Sequence, residues 1–462
     1  MTLDRRALLS AGALTAGTGF GVLAMTAAGA ASAAGPREAQ PSGKPARTFK
    51  YGLKPGSLDD QTAPLQAAID AAAANGEPVM LPAGTLRTGP LRLPSGCKLT
   101  GAAGLSVLQF SGGAQFIFAK DAVGIVIEDI VFDGGTLPLD PDLSDGLLHF
   151  QDCAGLSLRR IEVRNALLNG MSLEGCSGRI SDCTITTVSQ AALRCLDSTG
   201  LDISHNHIAD CGNNGILVWQ SKAREDGTLI SGNRIERIAA RNGGTGEYGN
   251  GINVFRAGSV IATGNRISDC AYSAVRGNAA SNIQILSNSC ARIGEVAIYA
   301  EFGFQGAVIA NNVIDGAATG IAVTNFNEGG RLAIVQGNLI RNLVRREAEP
   351  EDKRGDGITI EADTLVSGNV IENAPSCGIS IGWGPFLRDC MVTNNLLRAT
   401  RTGILVSSDP AAGKAMISGN MISGATDGAI RMMEYGRPVG PDLALKVQDG
   451  NGRIAVSANT VS

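Results

Sequence analysis

One asparagine recurs along most of the chain at intervals that indicate stacked coils. It stands just before an apolar residue or an apolar pair, as at Asn233 and Asn420. The positions are Asn206, Asn233, Asn265, Asn288, Asn312, Asn338, Asn369, Asn395, Asn420 and Asn459, and subtraction gives intervals of 27, 32, 23, 24, 26, 31, 26, 25 and 39 residues. A lower limit with scattered longer intervals is typical of a coil of fixed circumference that carries loops in some turns. The spacing predicts a solenoid.

A second motif lies between the asparagines. Glycine, an apolar residue, a variable residue and another apolar residue recur at Gly170, Gly215, Gly251, Gly320, Gly357, Gly378 and Gly403. This short alternation is typical of a strand with one inward face, whereas helical repeats would show a period of 3.6 residues. Right-handed crossover is the strong default for parallel strands. We therefore predict an all-β fold, a single-stranded right-handed parallel β-helix.

In such a solenoid the asparagine is expected at a bend between two strands. There it tolerates the left-handed backbone conformation, and its amide donates and accepts hydrogen bonds along the stack. Asn312 and Asn338 should accordingly point inward or along the turn and stack on each other. In the first coils we expect Arg160 and Cys183 to occupy this position instead.

Composition excludes some functions and leaves others open. The chain has 61 glycines, a formal charge of -4 and a pI near 5.6, which suits tightly turned coils and not a nucleic-acid partner. No C-x-x-C motif occurs and the three histidines lack a ligand spacing, so neither a metal nor a cofactor is predicted. The ten cysteines are expected to be buried thiols, with a Cys153–Cys176 bridge as the alternative.

The N-terminus has the pattern of an export signal. Arg5-Arg6 precedes an uncharged, weakly apolar stretch that ends in small residues near position 33, which is typical of a cleaved signal peptide. We expect a cleaved signal at 1–33, a flexible linker at 34–47, an N-terminal cap at 48–100 and β-helix repeats at 101–462. No other stretch is long and apolar enough for a membrane span.

The cap segment carries a resemblance to a known family. Ala63–Ala74 has helical spacing and ends at Asn75-Gly76, which predicts a helix that covers the apolar end of the solenoid. The order of motifs resembles the start of pectate-lyase-like right-handed β-helices: Tyr51-Gly52, Asp59-Asp60-Gln61-Thr62, the helix, Leu81-Pro82-Ala83-Gly84 and Leu99-Thr100-Gly101. With Arg5-Arg6, the whole chain is similar to bacterial β-helix repeat proteins exported by the twin-arginine route. That resemblance implies a folded protein exported to the periplasm or secreted.

No catalytic signature accompanies this resemblance. The superfamily includes polysaccharide lyases, glycosidases and epimerases. The coils lack the Asn-Thr-Asp, Asp-Asp and Gly-His-Gly motifs of polygalacturonase-like members and the Asp-Pro-His of alginate epimerases. The Asp-His and paired-arginine patterns of pectate lyases are also missing. An active site has therefore to be inferred from strand geometry.

Strand alternation places a mixed strip on one outer face. If the apolar residues of the glycine motif face inward, the residues two and four after the glycine face outward. The strip then contains Arg194, Trp219, Asn253, Phe255, Arg256, Arg276, Tyr299, Glu301 and Glu361. We predict an exposed groove from Leu193 to Glu361, in which Arg194, Trp219, Asn253, Phe255 and Arg256 bind a polysaccharide or cell-envelope glycan. Insertions at 237–250, 325–332, 344–356 and 382–389 would form its walls.

Two chemistries fit the strip. Elimination from a uronic acid needs a base and a cation, roles that Tyr299 and Arg276 could fill. Hydrolysis needs two carboxylates, and Glu301 and Glu361 are expected two coils apart in one column, roughly 9.6 Å before side-chain bending. The competing class is a non-catalytic exported module. The missing signatures favour that class, whereas the aromatic cluster and the asymmetric loops favour a polysaccharide lyase or glycoside hydrolase.

Overall fold

A computed structural model describes residues 46–47, 52–244, 246–346, 355–445 and 452–462. Residues 43–462 form one compact unit. The predicted signal at 1–33 and most of the predicted linker lie outside the described residues, as does Tyr51. Within the described ranges, no helix has the length and apolar character needed to cross a bilayer.

The predicted helix forms at Thr62–Asn75. Leu65 and Ile69 are fully buried, and the helix contacts the strands at Pro78–Met80 and Leu91–Arg92. Gly76 ends the helix in the left-handed conformation with φ of 68°. The helix therefore covers the first coil, as predicted. Short 3-10 helices lie at Phe326–Glu328 and Leu443–Leu445.

Each complete coil contributes one strand to each of three parallel sheets. The first sheet has 16 strands. They are Ala46–Arg47, Pro78–Met80, Lys98–Thr100, Val126–Glu128, Leu156–Arg159, Gly178–Ser181, Asp202–Ser204, Leu229–Ser231, Ile261–Thr263, Ile283–Leu286, Gln305–Ala310, Arg331–Gln336, Thr364–Ser367, Cys390–Thr393, Ala415–Ser418 and Ile454–Ser457. Strand stacking thus begins before residue 101, where the sequence predicted the first repeat.

The second sheet follows the first around each coil. Its strands are Gly84–Thr88, Ser106–Phe110, Val131–Asp133, Glu162–Ala166, Thr184–Val188, His207–Cys211, Arg234–Ile238, Arg266–Cys270, Ser289–Ala291, Val313–Asp315, Leu339–Arg341, Met421–Ser423 and Thr460–Val461. Two long strands, Val370–Ile381 and Leu396–Ser407, turn the corner and continue into the third sheet. The second and third sheets are therefore joined into one 28-stranded sheet.

The third sheet completes the coil. Its remaining strands are Leu91–Arg92, Ile117–Lys120, Gly146–Gln151, Asn169–Glu174, Ala191–Leu196, Asn214–Glu225, Asn250–Gly258, Val275–Asn278, Val296–Glu301, Thr319–Val323, Asp356–Ile360, Ile430–Glu434 and Arg437–Val439. The last two form an antiparallel hairpin. Inward side chains of all three sheets pack into one continuous apolar core.

The asparagine ladder lies at the corner between the first and second sheets. Asn312 donates from its main-chain N–H and from Nδ2 to Oδ1 of Asn338, both at 2.9 Å. The same Nδ2 also donates to the Ile285 carbonyl at 2.9 Å. Asn312 and Asn338 are each 1% exposed. The predicted stacking is confirmed, and the ladder satisfies buried polar groups that the corner would otherwise leave unpaired.

Two details of the corner differ from the prediction. The left-handed residue is the one before the asparagine, for example Gly232 with φ of 64° and Gly337 with φ of 65°, and not the asparagine itself. This explains why glycine so often precedes the ladder position. Cys183 does begin the ladder by donating its N–H to Asn206, but Arg160 is shifted by one residue and has φ of 50°. Ile161 occupies the ladder position in that coil.

All ten cysteines are free and buried. Cys153 and Cys176 lie on neighbouring coils, where the Ser177 N–H donates to the Cys153 carbonyl. The two residues are 1% and 2% exposed. The structure therefore contains buried free thiols at these two positions and not a Cys153–Cys176 disulfide.

Candidate functional site

The outer face of the third sheet carries the predicted columns in the predicted register. Ser172, Arg194, Leu217, Asn253, Arg276 and Tyr299 lie opposite one another on successive strands. Beside them run Glu174, Leu196, Trp219, Phe255, Asn278 and Glu301. The intervening residues are fully buried, as shown by Ile216, Val218, Ile252 and Val254. Inward and outward side chains therefore alternate along these strands as predicted.

An aromatic ridge, defined as Trp219, Phe255 and Arg256, occupies the middle of this face. The rings of Trp219 and Phe255 meet edge to face with centroids 6.0 Å apart. The Arg256 guanidinium lies 4.7 Å from the Phe255 centroid. Trp219 Nε1 donates to Oδ1 of Asn253 at 3.2 Å, which fixes the indole on the sheet. All three ridge side chains remain partly exposed.

A loop covers the next part of the face. It connects the strands Arg234–Ile238 and Asn250–Gly258, and the Glu247 carbonyl accepts Nδ2 of Asn214 at 3.1 Å and Nδ2 of Asn253 at 3.4 Å. Gly246 approaches so closely that a Cβ there would collide with the Arg276 guanidinium. The predicted insertion at 237–250 therefore lies over the strip as well as beside it.

Three residues predicted to be exposed are consequently buried. Asn253, Arg276 and Glu301 are 4%, 8% and 2% exposed, which corrects the expectation of one open groove. Arg276 Nε donates to Oε1 of Glu301 at 2.6 Å, and Asn278 Nδ2 donates to the same oxygen at 3.1 Å. A buried arginine and a buried glutamate are held here as an ion pair, because an unpaired charge in this position would be strongly unfavourable.

Of the other two predicted catalytic residues, Tyr299 lies beside this ion pair and Glu361 lies against the segment that contains Phe326. The Tyr299 ring lies 5.1 Å from the Arg276 guanidinium, and burial together with the Glu301 charge raises the pKa of the phenol well above its usual value. Glu361 accepts the Phe326 N–H at 2.7 Å. Burial raises the pKa of the Glu361 carboxyl to about 7, although that N–H opposes the shift.

Sequence reasoning missed a cluster at the start of the same face. Asp145, His149 and Glu174 bring one ligand-type atom each to within 4.8 Å of one another. Arg194 Nη1 donates to Oδ2 of Asp145 at 2.9 Å and to Oγ of Ser172 at 3.3 Å. His149 lies opposite Ser172 in the first outward column. Extending that column back by one strand would have found it.

A depression of about 210 Å³ lies at the other end of the face. Ser380 and Leu405 of the first outward column form part of its lining. Arg345, Arg401 and Arg437 also line it together with Asp356, so the lining of this depression is basic on balance. The buried Thr402 hydroxyl in the lining has no hydrogen-bond partner.

The first sheet offers a contrasting surface. A depression of about 340 Å³ is lined there mostly by apolar residues such as Val308, Leu332 and Ile334. No titratable side chain lines it. We therefore place the candidate site on the third sheet, where aromatic, basic and acidic groups occur together.

Comparisons with known proteins agree with this architecture. A family model described as "right handed beta helix region" matches residues 145–239, 169–343 and 214–397, overlapping ranges that cover more than half of the chain. The chain belongs to this family of right-handed parallel β-helices. The predicted fold class, including its handedness, is thereby confirmed. A search of curated proteins by sequence finds no match.

A solved phage structure shows the same fold at low sequence identity, and two further solved structures are similar to a lower degree. The pre-mature gene product 12 of bacteriophage phi29 is 15% identical with a TM-score of 0.56, over 85% of this chain. This chain spans 58% of the length of that phage protein. The catalytic unit of a GH87 α-1,3-glucanase from Streptomyces thermodiastaticus is 15% identical with a TM-score of 0.43, over 92% of this chain and 69% of the other. PfbA, a surface adhesin of Streptococcus pneumoniae, is 14% identical with a TM-score of 0.49, over 89% and 99%.

Proposed function

We propose that this protein is an exported β-helix protein that binds an extended glycan along the outer face of the third sheet. The aromatic ridge is the observation that carries the proposal. It is partly exposed, and the Trp219–Asn253 hydrogen bond fixes it on the outer face of the third sheet. Aromatic faces with adjacent hydrogen-bonding groups suit sugar rings, whose C–H surface is apolar and whose edges are polar. Export rests on Arg5-Arg6 and remains a prediction.

Charge on the same face favours an acidic glycan. Arg256 belongs to the ridge, and Arg194, paired with Asp145, lies on the strand next to the one that carries Trp219. The basic depression around Arg401 lies at the far end. A stack of parallel strands repeats about every 4.8 Å, so these groups are spaced along an axis that a polymer can follow. Guanidinium groups also match carboxylates in geometry. A uronate-containing polysaccharide is therefore the ligand class that we propose.

Affinity electrophoresis in gels containing polygalacturonate, alginate or a neutral glucan tests this proposal. Trp219→Ala should weaken glycan affinity at every salt concentration by roughly two- to tenfold, because it removes a stacking surface. Arg256→Gln should weaken binding of the acidic polymers mainly at low salt. Ile334→Ala, on the exposed first sheet, is the matched control and should bind like the wild type. Equal retardation of Trp219→Ala and wild type, or no retardation of the wild type in any gel, would refute the proposal.

Catalysis is the second candidate, and one observation favours it. The Glu361 pKa of about 7 suits a general acid at neutral pH. A role for Arg276 would require movement of the covering loop, and a role for Glu301 would require the ion pair with Arg276 to open. We would follow unsaturated uronates by ultraviolet absorbance and new reducing ends by colorimetry. Loss of absorbance change in Tyr299→Phe would indicate elimination, whereas loss of reducing ends in Glu301→Gln or Glu361→Gln would indicate hydrolysis.

A further inference from the structure

The cluster of Asp145, His149 and Glu174 has the composition of a metal site. Asp145 directly precedes the strand Gly146–Gln151, which contains His149, and Glu174 ends the neighbouring strand Asn169–Glu174. Two adjacent strands and the residue directly before one of them therefore supply the three side chains. Their candidate ligand atoms lie within 4.8 Å of one another. That separation is close enough for one ion to contact all three after small side-chain rotations, since ligand bonds are about 2 Å long.

His149 supplies an independent observation. Its Nε2 atom has almost no solvent-accessible surface and no hydrogen-bond partner. A buried imidazole nitrogen without a partner is unfavourable, and such an atom calls for an unseen water or ion. In its column, Phe118 precedes His149 and Ser172 follows it. Neither satisfies Nε2, so in the tautomer with the proton on Nδ1 its lone pair is available to a cation.

Arg194 fits a supporting role in this arrangement. Its guanidinium holds Oδ2 of Asp145 at 2.9 Å and leaves Oδ1 for another partner. Groups that hold a ligand side chain in place are a regular part of metal sites. Two carboxylates and one guanidinium leave a net negative charge at the cluster, which favours a cation.

We propose that Asp145, His149 and Glu174 bind one divalent transition-metal ion of the Zn²⁺ or Mn²⁺ type. An imidazole together with two carboxylates suits these ions, whereas Ca²⁺ and Mg²⁺ prefer oxygen ligands alone. Three protein ligands leave coordination positions for solvent or for an oxygen of a ligand on the same face. The site does not depend on glycan binding.

Isothermal titration of the full, untagged chain with ZnCl₂ and, separately, MnCl₂ tests the site after dialysis against a chelator. Mn²⁺ is included because thiolates bind it poorly, so the buried cysteines do not complicate that titration. The wild type should bind one ion per chain. His149→Ala and Glu174→Gln should each weaken the affinity by roughly tenfold or more, since even residues that merely support metal ligands have effects of that size.

The control is His207→Ala. His207 Nε2 lies 3.4 Å from Oε1 of Glu236 on the second sheet. The substitution therefore removes a different, partly exposed histidine–carboxylate pair. This variant should bind the ion like the wild type. No binding of either ion to the wild type overturns the proposal. Unchanged affinity in both His149→Ala and Glu174→Gln, or equal loss in His207→Ala, overturns it too.

Discussion

Single buried polar residues are stabilised in two different ways in this solenoid. At the corner, each asparagine such as Asn338 has its amide satisfied by equivalent residues and carbonyls of neighbouring coils. On the third sheet, Glu301 is satisfied by Arg276 and Asn278. The first arrangement repeats on successive coils from Asn206 to Asn459 and was visible in the sequence, whereas the Arg276–Glu301 pair does not repeat on the neighbouring coils. Repetition is what makes a buried polar residue predictable.

Asn338→Leu should destabilise the protein by about 1 to 3 kcal/mol, because neighbouring polar groups lose their partner without access to water. Urea unfolding measures the loss. Asn327→Leu is the control, since Asn327 is exposed and its Nδ2 donates only to Oε1 of Glu328. That control should remain within about 0.5 kcal/mol of the wild type. Equal stability of Asn338→Leu and wild type would mean that the ladder contributes nothing.

Glu361 should make stability depend on pH. Its pKa is raised from 4.5 to about 7 on folding, so the folded chain binds a proton that the unfolded chain has released. The free energy of unfolding should therefore fall as the pH rises from 4.5 to 7. The Glu361 carboxyl should account for up to about 3 kcal/mol of that decrease. Glu361→Gln should flatten that slope in urea midpoints measured across the range, while Glu328→Gln, exposed in the adjacent loop, should keep it. Identical slopes in all three proteins would contradict the assignment.

Strands and loops differ in how far the sequence determined them. The glycine motif predicted which residues of Asn250–Gly258 and Val296–Glu301 face outward, because strand alternation is local. It did not predict that the loop before Asn250 folds over Arg276, since that contact depends on the path of an insertion without a repeat. The Asp145–His149–Glu174 cluster was also missed. Its residues come from two neighbouring coils, and a search for ligands at short sequence spacing does not detect such a set.

Gly246→Ala should loosen this loop. The substitution introduces a Cβ that collides with the Arg276 guanidinium, and both groups are enclosed by the loop. We expect destabilisation by about 1 to 3 kcal/mol and faster amide exchange around residues 246–249. Gly112→Ala is the matched control, because Gly112 has φ of 121°, close to the 126° of Gly246, but open space around its Cβ. Equal shifts in melting temperature for both variants would show that backbone strain alone is responsible.

At the scale of the whole molecule, stability should be distributed coil by coil. In a solenoid each coil contacts only its neighbours, so a local defect weakens nearby coils first. The helix Thr62–Asn75 covers the first coil with Leu65 and Ile69, both fully buried. The aromatic ridge lies several coils away. A defect in the cap should therefore leave the candidate site intact.

Ile69→Ala tests this distribution. Loss of a fully buried isoleucine should destabilise the cap by about 2 to 5 kcal/mol, because it leaves a cavity between the helix and the first coil. Hydrogen exchange should accelerate in Pro78–Met80 and Ser106–Phe110 and remain unchanged around Asn312. Leu58→Ala, which truncates an 81% exposed leucine of the same segment, should leave exchange unaltered. Uniform acceleration along the entire chain would show instead that the solenoid unfolds as one cooperative unit.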